Sequence, residues 1–269
     1  MKKLLALALV FILALSLLTA CNGNSTTPSG DNNTPSGNAG DNSTPSGNGT
    51  TDPDDNNSVA FCKVGDIIKF GEYDWRVLDV QDGKALIITD KNIFIDTFHD
   101  EDAETLTWAD SDMRAWFNDG LYNSFNETDR ARIVQVTNKN PDNPWDFTAI
   151  GGLNKTPGGP DTQDYIFLLS LDEVVKYFGD SGQLANQKHP DNDERGFGDQ
   201  YSVNRIAADS LNDISEVDGV LQGFWWWLRS PGGMNGFFAS IDWYGNVEVV
   251  GTHYGQNTGG IRPALWLNP

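Results

Sequence analysis

The chain has 269 residues and a formal net charge of −20, from 18 basic and 38 acidic side chains. With no basic stripe to neutralise phosphates, that balance argues against nucleic acid or anionic lipid headgroups as partners and favours solubility. Two cysteines, Cys21 and Cys62, allow at most one internal disulfide.

Met1-Lys2-Lys3 leads into an apolar run from Leu4 to Leu18, broken only by Ser16, which has the charge and length of a secretory signal. The run is too short to span a bilayer comfortably. Leu18-Thr19-Ala20-Cys21 then resembles the lipobox of bacterial lipoproteins. That resemblance implies removal of residues 1–20 and lipid on the Cys21 thiol. The remaining chain would then be extracytoplasmic, tethered to the cell membrane at the cell surface. Residues 21–58 hold Gly, Ser, Thr, Asn, Asp and Pro with almost nothing to bury, and Thr-Pro-Ser-Gly recurs at Thr27, Thr34 and Thr44. Such a segment is a spacer, holding the C-terminal part of the chain about 30 Å from its anchor on average.

Residues 59–269 are expected to form one domain, since no second linker interrupts them. With Cys21 lipidated, Cys62 is left alone and reads as a packed small residue. Stability then rests on apolar and aromatic burial, nine tryptophans included. Asp66 to Phe70, Tyr73 to Val80 and Lys84 to Thr89 predict a β-meander, turning at Gly71 and Asp82-Gly83. Ser111 starts a short helix through Met113, Trp116 and Phe117, which Gly120 is placed to end. Asn126 and Asp129 mark a second helix start, and Ile133 to Thr137 a strand. Asn138 to Asp164 is loop; Tyr165 to Leu169 is a short strand; Ser170 caps a helix from Leu171 to Phe178. Gly179 to Asp199 lacks periodicity. Strands return at Phe224 to Leu228, Phe237 to Asp242, Val247 to Val250 and Ile261 to Leu267, with Tyr244-Gly245 as a turn. Strands, helices, then strands without βαβ alternation predict an α+β fold: antiparallel sheets, a few short helices and long irregular loops.

Trp225-Trp226-Trp227-Leu228-Arg229-Ser230-Pro231-Gly232 and Gly259-Gly260-Ile261-Arg262-Pro263-Ala264-Leu265-Trp266 resemble the signature of a bacterial family, domain of unknown function 6273. Gly65-Asp66-Ile67-Ile68, Tyr73 to Leu78 and Phe167-Leu168-Leu169-Ser170 resemble its start and middle, so the resemblance covers Phe61 to Pro269. The order of these pieces is also similar to the C-type-lectin-like fold of sulfatase-modifying factors and bacterial display proteins, which tolerates long inserted loops. Sulfatase-modifying oxidation depends on C-terminal cysteines, and none follows Cys62. Asn140-Pro141-Asp142 and His189-Pro190-Asp191 only approximate the calcium-lectin motif.

In a strand, Trp225 and Trp227 share one side and Trp226 the other, so the triplet reads as structural, as do Arg229 and Arg262 holding carboxylates or carbonyls. Between Met234 and Thr258 aromatic and small polar side chains mix: Asn235, Phe238, Ser240, Asp242, Trp243, Tyr244, Glu248, His253, Tyr254, Gln256 and Asn257. If Ala239 and Ile241 point inward, Phe238, Ser240 and Asp242 face outward as part of a recognition surface. The Asp/Asn-rich loops, Asp142 to Asp146 and Asp191 to Asp199, read as solvated turns, with structural calcium as the alternative; otherwise no cofactor is expected. No nucleophile elbow, phosphate loop or metalloprotease motif occurs, and His99, His189 and His253 are isolated. The expectation is a surface-anchored binding module for an extracellular glycan or protein. The alternatives are an envelope or polysaccharide hydrolase with an Asp/Glu pair, or a structural domain without ligand.

Overall fold

In a computed structural model, which describes residues 62–187, 195–209, 213–255 and 258–269, the chain enters as the expected meander. Its strands are β1 (Ile67–Phe70), β2 (Tyr73–Gln81) and β3 (Lys84–Thr89). Asp82 and Gly83 both take positive φ (50° and 74°), the primed geometry that suits the twist of paired strands. The secretory signal, Cys21 and the spacer lie outside the described residues. The described residues belong to one unit, Asn56–Pro269.

Two short strands complete this sheet. β15 (Ala264–Leu267) pairs antiparallel with β3, Leu265 opposite Ile87, and with β5 (Ile133–Val134), giving the order β1-β2-β3-β15-β5. The two ends of the domain therefore close on each other, with everything between them inserted. A second sheet runs β4 (Phe94–Asp96), β14 (Gly259–Ile261), β11 (Trp226–Pro231), β12 (Phe237–Ile241), β13 (Val247–His253), β8 (Gly196–Phe197). Its ladders are antiparallel except β11–β14, which is parallel at Trp226 and Gly260. Two hairpins stand apart: β6 (Val136–Asn138) with β7 (Thr162–Asp164), and β9 (Ser215–Val217) with β10 (Val220–Gln222). The fold is α+β with mostly antiparallel sheets and few short helices. Ile261 to Leu267 is not one strand, because the Arg262-Pro263 corner carries the chain from one sheet into the other.

The helices are short and capped as expected. The Ser111 side chain accepts from the Arg114 N–H and opens α1 (Asp112–Trp116). Gly120 does not end this helix. The chain continues through a π turn (Phe117–Leu121) and Tyr122–Ser124, and a Cβ on Gly120 would come 2.7 Å from the Trp116 ring. Glycine is needed there for the indole and not for a stop. Asn126 caps α2 (Glu127–Arg130), and Ser170 with Glu173 makes a reciprocal capping box on α3 (Leu171–Phe178). α4 (Gln183–Asn186) and α5 (Ser202–Arg205) complete the helices. Tyr165 to Leu169 is not a strand beyond one bridge, Phe167 to Ala264. Its backbone is satisfied otherwise: Asn118 accepts from the Tyr165 N–H, and the Leu168 and Leu169 carbonyls accept from Arg229. The core includes Trp75, Trp108, Trp145, Trp226 and Trp227, all buried, as is Cys62. Burial of large apolar side chains contributes roughly 1.5–3 kcal/mol each.

Candidate functional site

β12 and β13 are joined by residues 242–246, and one side chain fixes this turn. Asp242 Oδ1 accepts from the backbone N–H of Tyr244 and of Asn246, both at 2.8 Å, and Oδ2 accepts from Asn246 Nδ2 at 2.9 Å. Burial pushes the Asp242 carboxyl above its ordinary pKa, although these hydrogen bonds pull the other way. Gly245 has φ +81°, and a Cβ there would sit 1.9 Å from the Ser202 carbonyl oxygen, so the turn is docked tightly on α5. The Ser202 hydroxyl donates to Asn246 Oδ1 at 3.0 Å. Trp243 packs its ring against Phe224, edge to face at 4.8 Å, and its carbonyl accepts from the Gly223 N–H. Even so, Trp243 is 45% exposed and Tyr244 44%. They are the one exposed tryptophan of nine and the one exposed tyrosine of seven. A rigid backbone thus presents two adjacent rings to solvent, where they can cover an apolar or sugar face at low entropic cost.

Apart from Asp242, which caps the turn, the other expected recognition residues do not join them. Phe238 and Ser240 are buried, contrary to the outward placement expected, and Phe238 stacks on Phe98 with centroids 3.7 Å apart. β12 is buried on both faces from Phe238 to Ile241, so the inside–outside alternation assumed for it does not exist. A bulge contributes: Phe238 pairs with Thr252 and Ser240 with Glu248, so one residue of β12 faces three of β13. Gly251, at φ +74°, would place a Cβ 2.0 Å from the Phe238 carbonyl oxygen. Tyr254 is also buried; its ring contacts His253 and His99, and its hydroxyl accepts from the Ala103 N–H at 2.8 Å. Asn235 is exposed and His253 half-buried, but both lie at the opposite end of the hairpin from the turn. Glu248 is half-buried on β13, its carboxylate 3.6 Å from Arg195 Nε. Gln256 and Asn257 lie outside the described residues.

Residues 82–269 match the family described as Domain of unknown function (DUF6273). This chain belongs to that family. The match starts at Asp82, so β1 and β2 precede it although they complete the same sheet. The resemblance expected from Phe61 onwards is therefore found from residue 82. No curated protein and no solved structure matches the chain.

Within the DUF6273 region the charged side chains of the interior hold the fold together. Arg229 donates to Glu173 through both Nη atoms, to the Leu168 and Lys139 carbonyls and to Asn140 Oδ1. Burial pushes the Glu173 carboxyl up, but the Arg229 charge and the Ser170 hydrogen bonds outweigh it and hold the pKa below the usual range. Asp164, fully buried, accepts from Arg114, Trp108, Asn138 and Thr162. Asp199 takes both Nη atoms of Arg205. Sequence reasoning missed these last two groups, because each joins segments far apart in the chain or set in a loop without periodicity. Trp225 contacts Trp227, with centroids 4.8 Å apart, while Trp226 turns away towards Phe178, as strand alternation requires. The carboxylates of the first acidic loop cap turns: Asp142 accepts from the Gly158 N–H and Asp146 from Thr148, which lowers the Asp146 pKa. Among the described residues no three His, Cys, Asp or Glu side chains cluster as a metal site. Nor is any described helix long and apolar enough to cross a membrane.

Proposed function

We propose that this chain is a surface lipoprotein whose domain, C-type-lectin-like in architecture, binds an extracellular glycan or protein through the turn bearing Trp243 and Tyr244. The carrying observation is the exposure of these two rings together, in a domain that covers every other tryptophan and tyrosine at least partly. Leaving two large rings in water is unfavourable for folding, and the docking of Gly245 on α5 with the Asp242 cap holds them in place. The exposed Val217, Val220 and Leu221 belong to the hairpin that leads into Gly223, the residue bonded to the Trp243 carbonyl. They would enlarge the apolar contact if the ligand is a protein.

The pairing of β3 with β15 around a long inserted region supports the lectin-like reading, and the sequence from Met1 to Cys21 supports export and lipid attachment. Release of the protein into the medium on Cys21→Ser replacement checks the anchor; retention would refute it. Binding is tested by retention of the protein on glycan and protein arrays. Trp243→Ala combined with Tyr244→Ala should abolish retention while the domain stays folded, the lost Trp243–Phe224 contact costing about 0.5–1.5 kcal/mol. Unaltered retention in the double variant would sink the proposal.

A further inference from the structure

A cleft of about 640 Å³ opens between the meander and the segment that carries α5, and neither Trp243 nor Tyr244 lines it. Its walls are partly apolar, with Val64, Leu78, Tyr177, Val203, Ile206 and Ile214 among them. Val64, Val203 and Ile214 are exposed at 64%, 53% and 45%, so greasy side chains are open to the solvent around it.

The walls carry three cations, Arg76, Lys91 and Arg262, and two carboxylates, Asp90 and Asp213, while Asp209 acts on Lys91 from outside the lining. Both carboxylates are already engaged: Asp90 Oδ1 accepts from Arg76 Nη2 at 2.7 Å and Asp213 Oδ1 from Lys91 Nζ at 2.5 Å. Arg262, which is 2% exposed, is left with backbone carbonyls, Nε donating to Thr89 O at 2.8 Å and Nη2 to Asp90 O at 3.3 Å. Nη1 is buried and has no acceptor among the described residues. The guanidinium lies over the Phe178 and Trp226 rings at 5.5 and 5.1 Å, contacts that favour this position. Burial lowers its pKa to about 9, with Asp90 raising it and Arg76 lowering it. A buried cation with no carboxylate in hydrogen-bond contact is costly, and an incoming anion would relieve that cost.

From this geometry we infer that the cleft is a binding site for a small organic carboxylate with an apolar body, its carboxylate compensating Arg262 and its body lying against the apolar wall. The site is separate from the exposed ring pair and does not depend on that pair binding anything.

Isothermal titration of the full-length chain with benzoate, benzamide and inorganic phosphate tests this. Benzoate should bind, benzamide at least roughly tenfold more weakly for want of charge, and phosphate more weakly than benzoate for want of an apolar body. Arg262→Lys should abolish benzoate binding. A second variant leaves Arg262 in place: Val203→Trp, at an exposed position in the cleft wall, should lower benzoate affinity by about tenfold with the fold intact. Trp243→Ala should leave benzoate affinity unchanged, which separates this site from the turn. Failure of benzoate to bind, equal affinity for benzamide, phosphate binding as tight as benzoate, or indifference to Val203→Trp would each overturn the inference.

Discussion

Arg229 lies in β11, and Arg262 directly follows β14, the strand beside it; both are buried, at 3% and 2% exposure. Arg229 meets a carboxylate through both terminal nitrogens and three further oxygens. Arg262 meets two carbonyls, two ring faces and no carboxylate. The same side chain is thus matched by a carboxylate in one place and met only by carbonyls and rings in the other. Equal burial does not mean equal contribution. A guanidinium holds a fold together when its charge is answered, whereas one answered only by neutral dipoles contributes less.

The largest expected effect sharpens the matched side of this comparison. Arg229→Met would strand the Glu173 carboxylate and the Leu168 and Lys139 carbonyls, and should cost about 3–5 kcal/mol of unfolding free energy in a urea titration at neutral pH. A loss below 1 kcal/mol would mean that the pair is not a structural clamp. The same interaction sets an acid limit. Because the folded Glu173 carboxyl titrates below its ordinary value, its stabilisation is complete above that value. It is lost as pH falls through the depressed one, so it should fade below about pH 4. In Glu173→Gln that part of the acid limb should flatten.

The two arginines also show how far the sequence could be read. Both were expected to hold carboxylates or carbonyls, and Arg229 donates to the Leu168 carbonyl and Arg262 to the Thr89 carbonyl. The meander was legible from its alternation and Asp82-Gly83, and the helix starts from Ser111, Asn126 and Ser170, because these signals are local. Trp243 and Tyr244 were legible as candidates because they sit at a turn. Phe238, Ser240 and Tyr254 were misplaced, since no local signal says that β12 is covered on both faces or that Phe98 will stack there. The cleft was illegible for a related reason. Its wall exists only once Arg76, Lys91, Asp213 and Arg262 are brought together from four parts of the chain.

The smallest expected effect bears on the unmatched arginine. Arg262→Met would keep much of the packing on Phe178 and Trp226 and remove a cation whose burial is poorly answered. It would also leave the Thr89 and Asp90 carbonyls without that donor, at roughly 1–3 kcal/mol. The gain and the cost oppose each other, so the net change should lie within about 1 kcal/mol, several-fold below that for Arg229→Met. Parallel urea titrations of the two variants decide the matter. If Arg262→Met destabilises the domain as much as Arg229→Met, the two guanidinium groups are equally well answered, and Arg262 has no charge to spare for a carboxylate in the cleft.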